Sequence, residues 1–283
     1  MGLLGSALAT IFRGKAIIFE KGEKPMSRLL PVLVAMASVP ASLYAVDGQV
    51  VINQSTLNAA GGTYTITQPG SYKLSGNLTA KDQNTNVIVI AADHVTIDLN
   101  GFAILGTADC SGGLNPCAGS GAGEGIRTAF GPPRFNIAIR NGTIQGMGAT
   151  GIDLFGDSHL VEQMRIRSNG AGGILIIASN DDGGSIAQYN TVERNGGNGA
   201  NGIFLSRGSV HHNTVSVNFT GISIGGGTVS DNFINRNLVR GLDAASAVSY
   251  KGNVLQGNGT NIFSGVNQGQ NLCDNAVCPG GVF

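Results

Sequence analysis

Short apolar segments alternate with polar ones along most of the chain, and from Gly151 onward they recur on one plan. A Gly-aliphatic-x-aliphatic motif reads GIDL at Gly151, GILI at Gly173, GIFL at Gly202 and GISI at Gly221, with a degenerate GLDA at Gly241. The steps between them are 22, 29, 19 and 20 residues. A second motif, Asn-x-aliphatic-x-x-Asn, runs beside it: Asn190 to Asn195, Asn213 to Asn218, Asn232 to Asn237, and Asn253 to Asn258. Both of its Asn positions advance by 23, 19 and 21 residues. Between the two motifs lies a third short segment, marked by Ile186, Val210, Val229 and Val248.

Three short strands in each turn of roughly twenty residues predict an all-β fold, a right-handed single-stranded parallel β-helix of roughly nine coils. Alternation within a strand sends Ile152/Leu154, Ile174/Ile176, Ile203/Leu205 and Ile222/Ile224 inward. Gly and Asn at the bends are expected to supply the left-handed backbone that tight corners need. Asn offers both a donor and an acceptor. Asn190, Asn213, Asn232 and Asn253 are therefore expected to stack as an internal ladder.

The coils upstream are less regular. Val87 to Ile90 and Val95 to Leu99 read as strands, Asn100-Gly101 as a turn, and Phe102 to Leu105, Ile137 to Ile139 and Gly142 to Ile144 continue the pattern. Residues 46–62 read as an N-terminal cap with a short helix, 107–124 and 178–184 as inserted loops, and 264–283 as a C-terminal cap, all within one domain spanning 46–283.

Residues 1–45 read as a separate extension. From Met26 the sequence carries a basic residue, Arg28, an apolar run from Leu29 to Ser42, and Ala45 before a polar start, the pattern of a secretory signal peptide. Translation from Met1 or Met26 and cleavage or retention as an N-terminal anchor stay open. The predicted location is secreted, periplasmic or at the cell surface, with no membrane span in the mature chain.

Composition adds three constraints. Charged residues are only 12% and Gly is 45 of 283, yet 42% of residues are hydrophobic, which favours a folded, turn-rich β protein over a linker. The extension holds five of the 17 basic and two of the 17 acidic residues, so the remainder has 12 and 15 and a net charge of −3. Such a surface does not attract nucleic acid. The four Cys form two close pairs, Cys110/Cys117 and Cys273/Cys278, expected as local disulfides in an exported chain. A zinc site is the rival reading, and no His adjoins either pair.

The stretches Gly70-Ser-Tyr-Lys-Leu-Ser-Gly-Asn-Leu78 and Val95-Thr-Ile-Asp-Leu-Asn-Gly101, with the later Gly-Ile and Asn-x-Val coils, resemble secreted bacterial right-handed parallel β-helix repeat proteins. That class has the pectate-lyase-like superfold and includes carbohydrate-binding and sugar-hydrolase modules. The resemblance covers about residues 46–283 and implies the fold; for activity it implies little, because one fold hosts many chemistries. Phe219-Thr220-Gly221-Ile-Ser-Ile-Gly225 resembles a polygalacturonase segment, but Thr220 stands where those enzymes carry a His. Asp181 and Asp182 follow a strand rather than precede one, and acidic residues are scattered rather than clustered as in calcium-dependent pectate lyases.

Along the outward column of the first strand, successive coils present Arg127, Asp153, Leu175, Phe204, Ser223 and Asp243, and a second column presents Phe155, Ile177 and Ser206. Arg127 and Asp153 are the candidate catalytic pair. Phe155, Leu175, Ile177 and Phe204 are candidate substrate-binding residues for a polysaccharide or cell-surface glycan. The plainer reading is a cross-rung salt bridge beside apolar residues covered by the 107–124 loop or by another chain. No cofactor is expected, calcium at Asp181/Asp182 being the only candidate. His211 and His212, as neighbours on a β segment, are expected to point to opposite sides and not to share a metal. The leading expectation is a polysaccharide-binding solenoid without catalysis; the alternatives are a polysaccharide lyase or epimerase and a structural, adhesin-like surface protein.

Overall fold

The computed structural model describes residues 48–110, 117, 120–180, 183–197 and 199–279. The chain divides into a short unit, residues 1–41, and a compact unit, residues 42–283, and all described residues fall in the second. The expected signal peptide and the Asp181/Asp182 pair lie outside the described residues.

The compact unit is a parallel β-solenoid. Nine strands form the first face in strict chain order, including Ile126–Thr128, Ile152–Asp157, Ile174–Ile177, Asn201–Leu205, Thr220–Ile224, Arg240–Ala244 and Thr260–Phe263. Arg134–Phe135 pairs beside this face with the end of Ile152–Asp157, and eighteen further strands among the described residues join a sheet that bends into two ribbons, so each coil has three sides. Ala138–Gln145 and Leu160–Arg167 run through that bend as single long strands. The short helix Gln54–Ala59 covers the N-terminal end. Asn53 caps it, its side chain accepting from the Thr56 N–H, and Leu57 is buried beneath it. At the other end Leu272–Cys273 pairs antiparallel with Ala276–Val277.

The registers reproduce the sequence period. Ile152 pairs with Ile174, Ile174 with Ile203, Ile203 with Ile222, and Ile222 with Leu242. All five are buried. On the second side the structure corrects the expected markers. Ala187, not Ile186, aligns with Val210 and Val229, and Tyr250, not Val248, continues the column. A one-residue slip sends a strand side chain to the opposite face, and Ile186 accordingly lies on the outer side.

The Asn ladder is present and extends through Asn271. The Nδ2 of each member donates to the Oδ1 of the next: Asn190 to Asn213, Asn213 to Asn232, Asn232 to Asn253, and Asn253 to Asn271, at 2.9–3.0 Å. Each Nδ2 also donates to a carbonyl one coil back, that of Val161, Ala187, Val210 and Val229. A second ladder runs through the other Asn of the motif: Asn169, Asn195, Asn218, Asn237 and Asn258. The repeat pointed to this second column, but its stacking was not expected.

The left-handed corners do not fall on the ladder residues. They fall on the residue before each one: Tyr189, His212 and Asp231 precede the first ladder, and Ser168, Arg194, Val217 and Arg236 precede the second. Inserting the Asn amide between coils requires the preceding backbone to turn outward. Non-glycine residues accept that conformation at roughly 1–2 kcal/mol each, a cost the ladder hydrogen bonds offset.

Candidate functional site

The first face turns one side of every strand outward, and the registers define that column rung by rung: Val89, Arg127, Asp153, Leu175, Phe204, Ser223, Asp243 and Phe263. From Arg127 to Phe263 the column spans roughly 29 Å at ~4.8 Å per rung. Phe155 pairs with Ile177 beside it. Leu175, Phe155 and Phe204 are half-buried and Ile177 is exposed. The four candidate substrate-binding residues thus form one continuous apolar strip. The described parts of the 107–124 loop lie elsewhere. The Cys117 N–H donates to the Arg194 carbonyl, the Gly197 N–H donates to the Cys117 carbonyl, and Gly123 donates to Gln83. Cys117 and Gly123 are therefore fastened to neighbouring coils away from Leu175 and Phe204.

Each end of the strip carries an arginine, a carboxylate and a phenylalanine. At the C-terminal end Arg240 pairs with Asp243 at 2.6 Å and stacks on Phe263 at 3.9 Å. At the N-terminal end Arg127 stacks on Phe130 at 3.6 Å and pairs with Glu124 at 3.2 Å. Asp153 sits in register beside Arg127, as the repeat implied, but the ion-pair partner is Glu124, a residue outside the repeat pattern. Glu124 is buried. Burial and the neighbouring Asp153 carboxylate push the Glu124 carboxyl up to about 8, against the opposing pull of Arg127. Burial raises Asp153 as well. The two carboxyl groups therefore share a proton at neutral pH, and Arg127 balances the remaining charge.

Both Cys pairs form disulfides, Cys110–Cys117 and Cys273–Cys278. Thr220, at the position of the polygalacturonase His, is buried and cannot reach a substrate. His159 is buried, its Nδ1 accepting from the Ile137 N–H, and desolvation lowers its pKa to about 4. The two adjacent histidines break the expected alternation. His212 occupies a left-handed corner at φ 55°, which turns its ring to the same side as His211. Among the described residues, no three His, Cys, Asp or Glu side chains converge on a common metal position. No helix among them is long and apolar enough to cross a membrane.

Comparison with curated proteins and with solved structures finds no match. One family does match, described as "Right handed beta helix region", over residues 132–276, just over half of the chain. The matched stretch begins where the long strand Ala138–Gln145 opens the regular coils and ends in the C-terminal hairpin. By coil, register and family match together, this chain belongs to the right-handed β-helix family.

Proposed function

We propose that the chain is an exported polysaccharide-binding solenoid that holds an extended glycan along its first face. The observation that carries this reading is the apolar strip of Phe155, Leu175, Ile177 and Phe204, flanked at both ends by an arginine–carboxylate–phenylalanine cluster. Aromatic and aliphatic side chains suit the C–H faces of sugar rings, and the charged ends suit hydroxyl or carboxylate substituents. The two disulfides fit an oxidising compartment.

The burial of the Arg127 cluster weighs against turnover in this reading. A lyase or epimerase needs an acid or base that reaches the substrate. Here Glu124 is buried, and Arg127 is held between Glu124 and Phe130. The test is a glycan array with the mature protein, with and without calcium, followed by titration of the retained glycan. Phe204→Ala is expected to weaken binding on the order of tenfold, about 1.4 kcal/mol, with the fold intact. An unchanged affinity in that variant, or no retained glycan, overturns the reading. An unsaturated, ultraviolet-absorbing product would establish lyase chemistry instead.

A further inference from the structure

We propose that His211 and His212 form a chelating site for a divalent transition metal of square-planar preference, copper(II) above others, on the corner between the second and third sides of the solenoid. The Nδ1 atoms of the two rings lie 3.0 Å apart, with the ring planes at 84°. Metal–imidazole bonds are about 2.0–2.1 Å long. Two donors 3.0 Å apart therefore subtend nearly a right angle at a shared ion. That is the cis relation of square-planar or octahedral coordination, and imidazole donors in that geometry suit copper(II) and nickel(II). Without metal the pair shares one proton between two lone pairs. With both rings as Nε2–H tautomers each Nδ1 offers its lone pair to the cation, so the proton between them passes to the far nitrogen of its own ring, both rings stay neutral, and water fills the remaining positions.

Three features hold the pair ready. His212 is fixed in its left-handed corner by the ladder, because Asn213 follows it directly and its Nδ2 donates to the His211 carbonyl at 2.9 Å. The Tyr189 ring, one coil back at the same corner, stacks on His212 at 5.0 Å and sets its orientation. Asp231 occupies the corner one coil on, and its negative charge acts on His211. A carboxylate beside two neutral imidazoles compensates an incoming divalent charge. His212 is exposed and His211 partly so, which leaves the nitrogens accessible. The remaining neighbours of His211 in its column are Gln188 and Ser230, which are neutral.

The experiment titrates the untagged mature protein with copper(II) at neutral pH, followed by calorimetry and electron paramagnetic resonance. The expected result is one ion per chain, with nitrogen hyperfine structure from imidazole and weaker binding of zinc(II). The chain has four His, so controls are needed. His212→Asn keeps a residue that tolerates the left-handed corner, and His211→Gln keeps a polar strand residue. Each is expected to reduce copper affinity on the order of tenfold or more, with unchanged circular dichroism, while His94→Gln retains it. Equal binding by wild type, His212→Asn and His211→Gln would overturn the proposal. So would a copper signal lacking imidazole nitrogen, or no heat at about 0.1 mM metal.

Discussion

The two halves of the solenoid close the same corner by different chemistry. Carried through the registers, one column reads Gly76, Phe102, Gly142 and Met164 in the earlier coils, then Asn190, Asn213, Asn232, Asn253 and Asn271. The second ladder begins in the same way, at Met147 followed by Asn169. Met147 and Met164 are both buried, and their N–H groups donate to the first Asn of each ladder at 2.9 and 3.0 Å. In the first half the corner is filled by close approach. A side chain at Gly142 would collide with Leu99, and Phe102 packs against the core. In the second half the corner is a continuous chain of buried amides. Apolar filling depends on local shape and changes from coil to coil, whereas an amide ladder imposes one geometry on every coil it passes through.

The sharpest way to break this contrast is to remove one ladder member. Asn213 accepts from both the backbone N–H and the Nδ2 of Asn190, and it donates to Asn232, Ala187 and His211. Asn213→Ala leaves several buried groups unpaired at once. The expected loss is about 4 kcal/mol, read as a fall in the urea midpoint. A change below about 1 kcal/mol would mean that water or neighbouring amides substitute for the ladder and that it does not organise the second half.

Two buried groups ahead of the ladder half should also respond to pH with opposite sign. His159 lies where the regular coils begin, and burial lowers its pKa to about 4. The unfolded chain therefore binds a proton more readily between about 6.5 and 4. Stability from this group is complete above that window and is lost as pH falls through it, by up to roughly 3 kcal/mol. Glu124, in the earlier part of the chain, is raised instead. Its contribution is complete below the unfolded carboxylate value and is lost as pH rises through about 8. Urea midpoints measured across pH should flatten between about 6.5 and 4 in His159→Gln and between about 4.5 and 8 in Glu124→Gln. Parallel profiles in wild type and either variant would remove that residue from the account.

How much of this was legible in the sequence follows the same division. Ladder positions and inward aliphatics were readable in the second half because a regular period repeats both. The left-handed corners were not, because Tyr189, His212, Val217 and Arg236 have no shared preference for that conformation. The ladder imposes it from the next residue. Ile186 marks the third segment by sequence as the larger aliphatic beside Ala187, and only the pairing register decides which of the two faces in. The candidate site divides likewise. The column from Arg127 through Asp153, Leu175 and Phe204 followed from the period, while Glu124 follows an insertion that erases the count. Phe263 was missed because the Gly-aliphatic motif has decayed by the last coil, where Gly259 is followed by Thr260, Asn261 and Ile262.

A reciprocal exchange at the corners tests whether the two halves differ in their amides alone or also in backbone demand. Asn141 in the first half and Val217 in the second both sit in the left-handed region, at φ 60° and 56°. Asn tolerates that conformation, and its Nδ2 also donates to Asp98 at 3.1 Å. Val is β-branched and holds it only because Asn218 follows and is locked to Asn195 and Asn237. Asn141→Val should therefore cost about 2 kcal/mol, combining strain with the lost hydrogen bond. Val217→Asn should gain about 1 kcal/mol, since Val217 is only half-buried and gives up little packing. Both are read from urea midpoints. A loss in Val217→Asn would show that the valine packs into the corner more than its backbone strains there. The second half would then close its bends partly by apolar filling, as the first half does.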